Sequence, residues 1–200
     1  MDRSILIGMT TGAVFMFAFG LIWLLIGLLR GRPSPARLRV SLLFLGIALG
    51  ASIATLGLRA SRLPHNAAPL TPQQIATNRE IGQHFYLIFG LELAAIFLAV
   101  VVLRAIHYPD YILCGIALIV GVHFFPLAAL FKTPVCYGTG LLGCAVGLVG
   151  FFVADDSLRQ KVVGLSFGLL LWATAAWITW IGLSAAPRVV SNLPPCEVTF

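Results

Sequence analysis

Six apolar stretches of about twenty residues or more, separated by short gaps that hold most of the charge, constrain this chain more than any other feature. They are Ile5–Leu29, Leu38–Leu58, Ile81–Leu103, Tyr111–Phe131, Val135–Ala154 and Val162–Ser184. A helix rising 1.5 Å per residue needs roughly 20 apolar residues to cross a hydrocarbon core, so every stretch qualifies. The runs are continuous and do not alternate, which excludes barrel strands, and an open sheet edge cannot sit in lipid. The sequence predicts an all-α, polytopic membrane bundle of six transmembrane helices in residues 1–184, then a polar C-terminal tail at 185–200.

Composition agrees. Of 200 residues, 60% are hydrophobic and 10% are charged, and the mean hydropathy is +0.99. A soluble domain carries about a quarter charged residues, so the expected solvent and first partner is the lipid bilayer. The net charge of +6 comes from arginines in the gaps between runs. That placement reads as topology signalling and contact with anionic headgroups, and no nucleic-acid partner is expected.

The gap with Arg30, Arg32, Arg37 and Arg39 is expected on the cytoplasmic side, which puts the N-terminus outside. Arg104, Arg159 and Lys161 fall on that same side, and Arg59, Arg62 and Arg79 on the other. The expected location is a bacterial cytoplasmic (inner) membrane. The first run is longer than a signal h-region and lacks a small-x-small cleavage site, so it is expected to stay as a helix. Cys114, Cys136 and Cys144 lie in apolar runs and Cys196 is not at a prenylation position; no CxxC pair occurs.

Helix starts are written in the gaps. Ser34-Pro35 and Thr133-Pro134 offer an N-cap followed by proline, and Thr71-Pro72-Gln73-Gln74 is a capping box that starts the third helix near Pro72. Asp110 and Asp156 are the expected caps of the fourth and sixth helices. Small-x3-small pairs, Gly46/Gly50, Gly143/Gly147 and Gly164/Gly168, let backbones approach where lipid gives helices no hydrophobic drive to associate. They serve packing within the bundle, or, through Gly143, Gly147, Gly164 and Gly168, a second copy or a membrane partner. Trp177 and Trp180 fall where an interfacial aromatic belt would be.

Ionisable groups inside the runs are few, and each is a functional hypothesis because charge at membrane depth is costly. Glu92 is central in the third run, His123 is near the middle of the fourth, and His84 is close to the start of the third. In antiparallel helices Glu92 lies roughly 16 Å and His123 roughly 12 Å from their common end, so the two can meet. His84 is eight positions from Glu92, about 80° around the helix. Pro126, three residues after His123, frees the Val122 carbonyl and can kink the fourth helix. A Glu–His pair is suited to exchanging a proton; the alternative is a neutral carboxyl hydrogen-bonded between helices.

Weaker patterns are also present. Gly164-Leu-Ser166-Phe-Gly168 has nucleophile-elbow spacing but no strand to precede it. His84 with His123 could ligate haem, and adding Glu92 could make a divalent metal site. Neither a cofactor nor a catalytic set is expected.

The stretch Gly121-Val-His123-Phe-Phe-Pro126-Leu-Ala-Ala-Leu-Phe131, with Tyr137-Gly-Thr139-Gly140 and Ile96-Phe-Leu-Ala-Val100, resembles a family of uncharacterised bacterial integral membrane proteins, a domain of unknown function. The resemblance implies a small multi-helix membrane protein in which His123 and Pro126 form a shared site or a shared kink. The leading functional expectation is a small proton-coupled transporter or channel-like protein. The alternatives are a structural or regulatory membrane subunit and a metal-binding membrane enzyme.

Overall fold

The computed structural model describes residues 3–29, 35–62, 72–131 and 133–190. Six helices follow one another: α1 (Arg3–Leu29), α2 (Ala36–Arg62), α3 (Pro72–Ala105), α4 (Ile112–Phe131), α5 (Val135–Phe152) and α6 (Asp156–Val190). A single 3₁₀ turn, Pro109–Tyr111, leads into α4. No strand occurs among the described residues, and each helix is long and apolar enough to cross a membrane. A chain in lipid must satisfy its own backbone polar groups, and a helix does so within one segment.

The helices exceed the apolar runs where polar residues can continue the backbone hydrogen bonding into the headgroup region. α3 starts at Pro72, as the capping box predicts, although Thr71 and Ser34 themselves lie outside the described residues, as do Arg30 and Arg32. α6 begins at Asp156, six positions before its apolar run, and continues to Val190, into the stretch expected as an irregular tail. Residues 191–200 are outside the description.

Three expected caps are corrected. Asp155, not Asp156, caps α6: its Oδ1 accepts the Ser157 N–H at 2.9 Å and the Leu158 N–H at 3.3 Å. Asp156 is already helical and faces Arg159. Thr133 does not cap α5 through its hydroxyl, which donates instead to the Phe131 carbonyl at 3.1 Å. Asp110 sits inside the 3₁₀ turn, whose cap makes no side-chain hydrogen bond.

α6 is the hub. It packs on α1 most extensively, and also on α5, α2 and α4. One buried cluster, including Trp23, Cys114, Phe124, Val163 and Phe167, joins α1, α4, α5 and α6. A second, including Leu24, Leu49, Ile53 and Trp172, joins α1, α2 and α6.

The glycines let these helices close. A Cβ on Gly164 would lie 2.7 Å from the Gly27 backbone, and one on Gly147 would lie 2.9 Å from Leu118 N. Gly143 and Gly168 are likewise closed in, by Phe167 and Gly121 and by Leu24 and Gly20. The four glycines considered as a face for a second chain are thus occupied by this chain's own helices. Gly46 of α2 meets the Trp172 ring.

α3 is the outlier. Its main neighbour is α4, and no residue of its membrane span is fully buried. It contributes no residue to either cluster.

Candidate functional site

α3 and α4 form an antiparallel pair because the link between them is short and locally specified. The Tyr108 N–H reaches back to the Leu103 carbonyl at 2.8 Å and the His107 N–H to the Arg104 carbonyl at 3.1 Å. This is a Schellman end, with His107 in the left-handed region at φ 62°. The turn fixes the register of the two helices. Leu103 touches Gly115 at one end of the seam, and Phe85 meets Phe131, with ring centroids 6.0 Å apart, at the other.

Midway between these contacts, Glu92 faces His123. Nδ1 of His123 lies 3.3 Å from Oε2 of Glu92, and each side chain is 10% exposed. Both stand near the centre of their spans, Arg79–Ala105 and Pro109–Phe131. The sequence allows these two residues to meet without deciding it, and the structure places them face to face.

The contact has a particular geometry. It is close enough for charges to attract, yet His123 Nδ1 makes no hydrogen bond among the described residues. The carboxylate oxygen lies off the direction in which the ring nitrogen donates or accepts. The arrangement leaves a buried nitrogen without a hydrogen-bond partner among the described residues, which is uncommon. The ring also stands edge-on to Phe124, at 6.1 Å. Towards the α4 C-terminus the seam continues as Phe89, Phe85 and Phe131, so the pair is flanked by aromatic rings on that side.

His84 does not join the pair. It is exposed on α3, and its Nδ1–H donates to the Glu80 carbonyl at 2.9 Å. Eight residues of helix place it about 12 Å from Glu92 along the axis. Among the described residues no three His, Cys, Asp or Glu side chains come together to hold a metal ion, so the His84–Glu92–His123 metal site does not form. Pro126 lies within a continuous α4 and is exposed. Ser166 is mid-helix in α6, where no elbow can form.

Two polar features escaped the sequence reading. Arg159, considered only as a topology signal, is 2% exposed. Its Nε and Nη2 donate to the Val153 carbonyl at 3.0 and 2.7 Å, its Nη1 donates to Asp156 Oδ1 at 2.6 Å, and its guanidinium lies 4.0 Å from the Tyr111 ring centroid. It therefore closes the C-terminal end of α5, where carbonyls lack helical partners. The i,i+3 spacing of Asp156 and Arg159 was the available signal. The second feature is a hydroxyl pair, Thr139 and Thr174, 2.8 Å apart between α5 and α6. Each hydroxyl also reaches a carbonyl four residues back, which is how threonine is tolerated within lipid.

Among the described residues, the fold and seam define a bundle of six helices able to cross a membrane, with one carboxyl–imidazole contact at mid-span. Compared with family models, curated proteins and solved structures, the chain finds no match in any of the three. The resemblance noted for the Gly121–Phe131 stretch carries no further weight, and function rests on the site's chemistry.

Proposed function

We propose that this protein is a small proton-coupled transporter or channel-like protein of the bacterial cytoplasmic membrane, with Glu92 and His123 as its proton-handling pair. The observation that carries the reading is the 3.3 Å approach of two ionisable side chains at the centre of adjacent spans. Intramembrane carboxylate–imidazole pairs mark proton relays because they put two groups able to take and release a proton side by side at a depth where ionisable residues are rare. The unsatisfied Nδ1 supports the same reading: a nitrogen not yet bonded is available to an arriving proton or water.

The face bearing Arg37, Arg39, Arg104 and Lys161 is assigned to the cytoplasm. Arg159 is discounted, because its charge is used inside the fold.

The test is proton flux into dye-loaded proteoliposomes under an imposed potential. Wild type should acidify the lumen faster than protein-free vesicles, and Glu92→Gln and His123→Asn should lower the flux at least tenfold while leaving the helix content unchanged. Flux equal to that of empty vesicles, or flux indifferent to Glu92→Gln, would falsify the proposal.

A second reading, a structural or regulatory membrane subunit, is favoured by one observation: α3 leans on α4 and leaves no residue of its span fully buried, so its outer face is open to a partner helix. On that reading Glu92 and His123 act as a clasp. Their removal would detach α3 and would alter no flux.

A further inference from the structure

No residue of α3 or α4 lines the space between α1 and α2. The space between them forms two grooves. One, about 470 Å³, is lined by Leu21, Leu25, Arg39, Leu43, Ala51 and Trp172 among others. The second, about 270 Å³, continues along the same seam past Thr10, Val14, Ile53 and Gly57. Phe17 and Gly50 border both grooves, and Phe17 is stacked on Trp172 with ring centroids 5.5 Å apart. The seam is therefore divided at mid-membrane into two chambers.

The larger chamber has dimensions and chemistry that select one occupant. From Arg39 to Ala51 along α2 it runs about 18 Å, close to one leaflet of a hydrocarbon core roughly 30 Å thick. Its wall is apolar throughout except for Arg39 at the end nearest the headgroups. Arg39 stands in the first turns of α2, which carries no acidic residue there, so the positive helix end adds to its charge. Arg37 is exposed in the same turn. A partner helix would need a continuous channel across both leaflets, and the Phe17 constriction interrupts it. A single acyl chain beneath a negative headgroup needs only one leaflet and one cation.

We infer that the α1–α2 groove holds an anionic glycerophospholipid, with its phosphate at Arg39 and an acyl chain along the exposed side chains of Leu21, Leu25, Leu43 and Ile47. The site is independent of the Glu92–His123 pair and stands whether or not that pair moves protons.

The test is lipid retention by the full chain purified in mild detergent and mixed with phosphatidylglycerol or phosphatidylcholine micelles, read by native mass spectrometry. Wild type should keep one phosphatidylglycerol per chain in preference to phosphatidylcholine. Arg39→Gln should reduce that preference about fivefold, as expected for one cation at a membrane surface. Ala51→Leu, which adds bulk at an exposed position in the deep end of the groove, should lower retention of both lipids. Equal retention of the two lipids by wild type, or an unchanged preference in Arg39→Gln, would overturn the inference. So would a shift of Ala51→Leu from dimer to monomer with no change in lipid, which would make the groove a protein interface. Melting curves of both variants separate these outcomes from misfolding.

Discussion

At position 107 the backbone takes φ 62°, a conformation in which histidine is tolerated and glycine is at ease. The helix ending there sets the register of α3 against α4, so histidine holds a strained position at the base of the candidate site. His107→Gly should relieve that strain and raise stability by up to about 1 kcal/mol, measured by thermal unfolding in detergent. A fall in stability would mean that the ring makes contacts that outweigh the backbone strain. Glu92 and His123 lead to a second prediction. Because their approach falls short of a hydrogen bond, a double-mutant cycle of Glu92→Gln and His123→Asn should give a coupling of about 0.6 kcal/mol or less. A coupling near 2 kcal/mol would favour the clasp. Arg159 behaves differently, since its donors are engaged and its guanidinium lies over Tyr111. Arg159→Lys keeps the charge and loses the planar fork, and should cost about 1–2 kcal/mol in unfolding. That Glu92 and His123 stand at depths that let them meet could be read from the sequence, but that they face each other could not. The burial of Arg159 could not, because only tertiary packing decides whether an arginine beside a membrane end points to water or folds back on the helix before it.

At the scale of elements, the same residue type has opposite roles on one helix. On α5, Gly147 lies where a Cβ would be 2.9 Å from the Leu118 backbone nitrogen, whereas Gly138 has nothing within 4 Å. Gly147→Ala should therefore force α4 and α5 apart and cost about 1–3 kcal/mol. Gly138→Ala should be neutral or stabilising by up to about 1 kcal/mol, because alanine is the better helix former. Equilibrium unfolding in mixed micelles gives both values. Equal costs for the two would show that helix propensity, not close approach, governs α5. The presence and type of all six helices were legible in the sequence because lipid permits no other backbone arrangement for such runs. Their ends were less legible. Hydropathy marks the portion immersed in lipid, while hydrogen bonding continues through Asp156–Lys161 at one end of α6 and as far as Val190 at the other. Rotation about each axis was not legible at all. Six runs that are apolar all round carry little difference between a face turned to lipid and a face turned to protein, since lipid tails are as apolar as leucine.

For the whole molecule, that equivalence has a consequence for cohesion. With no hydrophobic drive between helices in lipid, the bundle is held by close backbone approach and by polar contacts. Both are concentrated on α6: Gly164 and Gly168 against α1, Thr174 to Thr139 on α5, and Trp172 Nε1–H donating to the Phe17 carbonyl at 3.1 Å. α3 has neither a glycine closed against another backbone nor a fully buried residue in its span, since Gly82 and Gly90 meet nothing within 4 Å. Cohesion should therefore be graded, with α6 strongest and α3 weakest, and a weakly held helix bearing half of a polar pair is the element that the proposed transport would move. Amide hydrogen exchange in micelles checks this. Mid-span amides of α3 around Glu92 should exchange at least about tenfold faster than those of α6 around Phe167, because local opening of α3 breaks only the seam with α4. Glu92→Gln should leave the α6 rates unchanged. If α3 and α6 exchange at one common rate, the six helices open as a single unit, and a cycle built on movement of α3 against α4 loses its physical basis.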